Sequence, residues 1–148
     1  MMNLINVYED REDQAVEFFL FRVLRDRLSE PIANISHTAM PTWEEHKEFI
    51  KKKVYHAWYA IQNTSEDLIG TVFITKTNEL GIFIRKPFRG KGYASWALNT
   101  DMKMHPPLPG QPSQVNPRFV ANIRDGNAAS IALFESLGAK ILSHTYLL

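Results

Sequence analysis

Two glycines alternate with cations in Arg89-Gly90-Lys91-Gly92-Tyr93-Ala94, directly ahead of a run that reads as a helix. Glycine lets backbone N–H groups approach a ligand closely, and a helix N-terminus offers unpaired donors at the positive end of its dipole. Together they form a cradle for a pyrophosphate, to which Arg89 and Lys91 can add charge-assisted contacts. Alone, such spacing arises by chance in about one chain in ten of this length. No Lys-Ser/Thr pair follows the glycines, which argues against a P-loop. No G-x-G-x-x-G follows the first strand, which argues against a Rossmann dinucleotide site. A phosphate-bearing cofactor other than ATP or NAD fits best.

His37 stands out for a second reason: imidazole titrates near neutral pH, and residues 34–40 form a polar, small-residue loop suited to substrate contacts. The five histidines show no metal-ligand spacing, so no metal is expected. The chain has no cysteine, which removes disulfides, thiolate metal sites and a Cys nucleophile together.

The elements that must position these residues follow from periodicity. Residues 3–8 alternate weakly and predict a short strand. Val16, Phe19, Leu20, Val23, Leu24 and Leu28 recur at helical spacing, with Pro31 marking the end and with Phe18 and Phe21 expected in the core. Thr42 followed by Glu45 is a capping box, so a second helix is expected over 43–53 with Trp43, His46, Phe49 and Ile50 inward. The run Lys51-Lys52-Lys53 then complements that helix's dipole. Residues 56–62 and 67–75 predict two strands joined by a turn, and 79–85 a third strand with Leu80, Ile82 and Ile84 on one face and Glu79, Gly81 and Phe83 on the other. A helix over 92–104 follows. Residues 105–117 hold five prolines in thirteen positions and predict an irregular surface loop. A strand over 118–123, a helix over 127–137 stopped by Gly138, and a strand from Ala139 complete the order.

At 148 residues the chain suits one domain, 1–148, able to bury roughly two thirds of its unfolded surface. The formal net charge is +1 with the signs interleaved, so neither a nucleic-acid nor a membrane partner is indicated. No apolar stretch approaches the roughly 18 residues of a membrane helix and no signal segment is visible, which makes a cytoplasmic protein the expectation. Oligomeric state is not legible.

With these elements in place, Leu80 to Leu98, running Leu-Gly-Ile-Phe-Ile-Arg-Lys-Pro-Phe-Arg-Gly-Lys-Gly-Tyr-Ala-Ser-Trp-Ala-Leu, resembles the acyl-CoA loop of the GNAT superfamily of N-acyltransferases. Asn127 to Ala139 resembles that family's later helix, with Ser130 three residues after the asparagine and a closing Leu-Gly. The resemblance implies an α/β (α+β) fold: a mixed, mostly antiparallel sheet of six or seven strands flanked by four helices. It also implies acetyl-CoA as co-substrate and a primary amine of a small molecule as acceptor. On this likeness Arg89, Gly90, Lys91, Gly92, Tyr93 and Ala94 would hold the coenzyme A pyrophosphate. The backbone of Ile82, Phe83 and Ile84 would pair with pantetheine, and Asn127 and Ser130 would reach the pantetheine arm. Asn127 can equally serve only to cap its helix, and Ser130 only to pack. Residues 35–49 are similar to amino-sugar acetyltransferases of the pseudaminic-acid pathway type, and ribosomal-protein acetyltransferases share part of that helix.

Only a neutral amine attacks a thioester, and an alkylamine of pKa near 10.4 is mostly protonated at pH 7, so a base is needed. Glu79, at the head of its strand where the family often places a carboxylate, is the first candidate, and His37 the second. A backbone N–H near Phe83 or Ile84 would meet the oxyanion. Two departures from the family stand out. Phe134 occupies the place of a tyrosine proposed to protonate the leaving thiolate, leaving Tyr93, Tyr146 or water for that role. The chain also ends soon after the last expected strand. Both departures keep open a non-catalytic acyl-CoA sensor beside a small-molecule or a peptide N-terminal acetyltransferase.

Overall fold

The computed structural model describes residues 1–30, 39–112 and 115–148. Its elements run β1 (Asn3–Asn6), α1 (Ala15–Leu28), α2 (Trp43–Lys51), β2 (Tyr55–Gln62), β3 (Leu68–Thr75), β4 (Leu80–Ile84), α3 (Tyr93–Met104) and α4 (Ala128–Ser136). The strands pair antiparallel in the order β1-β2-β3-β4, as expected where successive apolar runs are joined by short turns. The β2–β3 turn is built by Asn63, whose side-chain oxygen accepts from the N–H groups of Ser65 and Asp67.

Each face of the sheet is covered by one helix pair. Val16, Phe19, Leu20 and Val23 of α1 and Ile50 of α2 pack on Trp58, Ala60 and Phe83. Ala97 and Leu98 of α3 and Phe134 of α4 pack on the opposite face, against Tyr59, Ile61, Val72 and Leu80. At roughly 1.5–3 kcal/mol per fully buried aliphatic or aromatic side chain, these two layers hold the sheet between them. The capping box is present: Glu45 N–H donates to the Thr42 hydroxyl at 3.1 Å, and Thr42 N–H to the Glu45 carboxylate at 2.9 Å.

Three expectations are corrected. The described residues contain four strands rather than six or seven. Residues 118–123 contribute only an isolated parallel bridge between Glu79 and Val120, closed by Leu80 N–H to Val120 O at 2.7 Å and Val120 N–H to Asn78 O at 2.9 Å. From there the two segments part, and without that neighbour's edge the residues from Ala139 onward form no strand and are exposed throughout. Phe18, expected in the core, is 58 % exposed and stacks on Trp43 with ring centroids 4.4 Å apart. The helix before Pro31 ends three residues short of it, at Leu28.

The proline-rich segment is pinned rather than loose. Asn78, fully buried and left-handed at φ 63°, donates from Nδ2 to Leu108 O at 2.9 Å and Asn116 O at 2.7 Å, and accepts from Leu108 N–H at 2.7 Å. One asparagine thereby ties Leu108 and Asn116 to the backbone immediately before Glu79.

Candidate functional site

The parting of β4 from residues 120–124 opens a cleft. Where β4 pairs with β3, Thr75 N–H bonds Glu79 O and Arg85 N–H bonds Ile69 O. The register places Phe83 opposite Thr71 and Gly81 opposite Phe73. In an antiparallel ladder the bonded positions alternate, so Glu79, Gly81, Phe83 and Arg85 point their amides into the sheet. Leu80, Ile82 and Ile84 point theirs outward, and Leu80 spends its N–H on Val120. Ile82 and Ile84 therefore present N–H groups along an open edge. Phe83, expected among the backbone donors, is turned toward β3 instead, and its ring lies in the α1–α2 core.

Beyond β4, a single 3-10 turn (Lys86–Phe88) leads into the glycine segment. Gly90 and Gly92 have φ of 77° and 81°, and a Cβ at either would meet no atom within 4 Å. Glycine is thus required by backbone conformation rather than by crowding from within. Gly92 is the N-cap of α3 and supplies no side-chain cap. Among the described residues no acceptor takes the N–H groups of Gly90 to Ala94. These unpaired donors stand at the start of a twelve-residue helix, the positive end of its dipole. Tyr93 and Ala94 pack partly against the core below, and Lys91 is exposed.

Arg89 is held differently from expectation. Its Nε donates to Ile84 O at 2.7 Å, and its two terminal nitrogens form a fork with Glu30 at 2.8 and 2.9 Å. Arg85 pairs with Asp26 at 2.8 Å. The end of α1 is therefore clamped to the strand and turn that carry the glycines.

Glu79, half-buried, lines a cavity of about 210 Å³ between β4 and residues 122–127, together with Thr75, Ile82, Asn122, Ser130 and Phe134. Its carboxylate has no hydrogen bond or ion pair among the described residues. Asn127 caps α4 by accepting from Ser130 N–H at 3.2 Å while also lining this cavity. A second cavity of about 220 Å³ lies between α1, α2 and the sheet, with Leu20, Val23, Phe49 and Trp58 in its wall. Arg27, Tyr55 and Phe73 line both.

Those three shared residues had no signal in the sequence. Tyr55 reaches the face covered by α1 and α2 because the β2–β3 register shifts between Tyr55 and Ala57, turning it to the side of Trp58. There it stacks on Phe73 with centroids 4.1 Å apart, and its N–H donates to the Tyr8 hydroxyl at 3.1 Å. Burial raises the Tyr55 pKa above its ordinary value. Phe73 has room only because Gly81 stands opposite, where an added Cβ would come within 2.0 Å of the ring. His46, in the second cavity's wall, points Nε2 at Glu17 O, 3.0 Å away, and burial lowers its pKa.

His37 lies outside the described residues. Tyr146 is 83 % exposed, and neither it nor Tyr93 lines either cavity. Among the described residues no group of three or more His, Asp or Glu side chains could hold a metal ion, and no helix is long and apolar enough to cross a membrane.

Residues 10–140 match the family model described as an acetyltransferase (GNAT) domain. No curated protein matches the chain. Among solved structures, a candidate acetyltransferase from Acinetobacter baylyi superposes with a TM-score of 0.70 at 20% identity, covering 93% of this chain and 78% of its own. A dodecameric spermidine N-acetyltransferase from Vibrio cholerae superposes with a TM-score of 0.66 at 15% identity, covering 97% and 81%. A ribosomal-protein-alanine N-acetyltransferase from Brucella melitensis gives 0.66 at 16% identity, covering 93% and 83%. At these identities the likeness is one of fold.

Proposed function

The chain belongs to the GNAT acetyltransferase domain family, and on that premise we propose that it transfers the acetyl group of acetyl-CoA to a primary amine of a small molecule. The observation that carries this reading is one open strand edge. Glu79 stands at the head of β4, Ile82 and Ile84 expose their N–H groups along it, and the glycine turn with its unpaired donors follows at its end.

The residues present fit the co-substrate. The N–H groups of Gly90 to Ala94 would hold the pyrophosphate, with Lys91 adding charge. Arg89 would contribute through its place beside the turn, because its guanidinium is committed to Glu30. Ile82 and Ile84 would take the pantetheine amides in the manner of an added strand. Bound acetyl-CoA supplies an acyl thioester.

Glu79 would accept the ammonium proton, directly or through water, since its carboxylate lines the cavity without a partner. An N–H on the open edge would donate to the thioester oxygen as negative charge develops there. With Phe134 unable to donate, Tyr55, which lines this cavity beside the hydroxyls of Thr75 and Ser130 and which burial keeps protonated, is able to act as an acid. A thiol of pKa about 8.5 leaves tolerably even without that help. His37 is kept as the second candidate base.

Spermidine and ribosomal-protein alanine acetyltransferases share the fold, so fold does not choose the acceptor. The volume and the aromatic lining of the second cavity favour a small amine with an apolar body over a peptide or an amino sugar. The test is thiol release from acetyl-CoA by the purified chain with a panel of polyamines, amino sugars, amino acids and short peptides. Release with small amines supports the reading, and release with peptides alone moves it to N-terminal acetylation. Tight acetyl-CoA binding with no release from any amine would replace the enzyme by a sensor.

A further inference from the structure

Arg27 is the one cation in the wall shared by the two cavities, and its surroundings do not explain it. The other arginines of this region, Arg85 and Arg89, each find a carboxylate, Asp26 and Glu30, within 2.9 Å. The Arg27 side chain has no hydrogen bond or ion pair among the described residues, and its Nε is buried without an acceptor. Its guanidinium lies 5.9 Å from the Phe83 ring centroid, a contact that leaves its in-plane donors unused. Burial lowers its pKa, but a guanidinium stays charged across the neutral range.

Arg124, which also lines the smaller cavity, is itself engaged, and the Tyr55 hydroxyl and Asn122 line the same space. Glu45 is committed to the Thr42 N–H, His46 to Glu17 O, and Thr71 to Tyr59 O and the Trp58 indole. Glu79 shares the smaller cavity with Arg27, yet the two form no ion pair. The cleft therefore holds one unpartnered cation and one unpartnered anion, next to an apolar chamber lined by Leu20, Val23, Phe49 and Trp58. A zwitterion with an apolar side chain complements all three features.

We infer that Arg27 anchors a carboxylate on the acceptor, and that the preferred acceptor is an apolar α-amino acid. Its ammonium faces Glu79, its carboxylate meets Arg27 in the bidentate geometry that guanidinium favours, and its side chain enters the second cavity. The inference rests on the small-amine transferase reading and narrows it.

The matched probes are L-phenylalanine and phenethylamine, which differ only by the carboxylate. With acetyl-CoA saturating, kcat/KM by thiol release is expected to favour phenylalanine by roughly 10- to 100-fold, the range of a charge-assisted hydrogen bond. In Arg27→Met this preference should collapse toward unity, mainly through KM, and Arg27→Lys should retain part of it. A binding measurement removes dependence on turnover: calorimetry of N-acetyl-L-phenylalanine against N-phenethylacetamide on the coenzyme A-saturated protein, wild type and Arg27→Met, with melting curves to verify folding. Carboxylate-dependent binding that needs Arg27 upholds the inference even if no amine is acetylated, a result that would remove only the transferase reading. Acetylation without carboxylate preference, or equal losses on both probes in Arg27→Met, overturns the inference and leaves the transferase reading standing. Failure of the acetylated amino acid to bind overturns it as well.

Discussion

Asp101 gives the most quantitative expectation. It lies in α3 with no exposed surface, and neither carboxylate oxygen has a hydrogen-bond partner. The nearby Tyr59 hydroxyl is spent on His105 Nε2 at 2.7 Å. Burial without compensation pushes the Asp101 pKa from 3.8 up to about 7. An acid whose folded pKa is raised is protonated in the native state over a range where the unfolded chain has already released the proton. The contribution of Asp101 to stability is therefore fully present below pH 4, is lost as pH rises from about 4 to 7, and is absent above that. A shift of about three units at 1.36 kcal/mol each amounts to roughly 4 kcal/mol, of which about 3 kcal/mol falls between pH 5 and pH 8. Against a total of 5–15 kcal/mol for a typical domain, that is a large share. Asp101→Asn keeps the shape and removes the titration. Urea unfolding of both proteins at pH 5, 6, 7 and 8 should show the variant gaining about 3 kcal/mol on the wild type across the series, because other titrating groups cancel in the difference. Parallel stability curves for the two proteins would refute the argument.

Three further expectations concern the site. Gly92→Glu should weaken acetyl-CoA binding at least tenfold by calorimetry, through a side chain placed where the turn faces open space at φ 81°; Gly92→Ala carries the same backbone strain of roughly 1–2 kcal/mol and separates strain from obstruction. Glu79→Gln should lower turnover while acetyl-CoA affinity stays near wild type, and equal turnover from pH 6 to 9 would move the base to His37 or solvent. Phe134→Tyr introduces a hydroxyl at a residue that lines the smaller cavity and should raise the rate of thiol release, by at most the roughly 10²- to 10⁴-fold that general-acid help can supply. A lower melting temperature with no gain in rate would place the leaving sulfur away from this residue.

What could be read from the chain without coordinates was what neighbours in sequence decide among themselves. The Thr42–Glu45 box, the alternation in β4 that separates Ile82 from Glu79, the helical stripe from Val16 to Val23 and the glycines ahead of α3 are each completed within a few residues. Their physics is local hydrogen bonding, side-chain periodicity and backbone conformation, and the structure reproduces them. The glycine motif keeps its backbone conformation, and the N–H groups ahead of α3 take no acceptor among the described residues.

Tertiary structure alone decided the rest. The expected strands at 118–123 and after Ala139 alternate well enough locally, but a strand exists only where a partner edge lies beside it, and the path of the chain brings only Val120 into register with Glu79. Whether an amide on β4 faces the sheet or the cleft depends on which residue of β3 stands opposite, which is why Phe83 could not be told from Ile84. Arg89 was legible as a cation near phosphate donors, yet its partner Glu30 is 59 positions away. Asn78 carries no motif, and its hold on Leu108 and Asn116 appears only once the proline-rich segment has folded back over it. Arg27 and Tyr55 meet across the fold because a shift in strand register turns one of them over. Chemistry that depends on a charge lacking a partner cannot be read from sequence, since a missing contact is a property of everything that could have reached it.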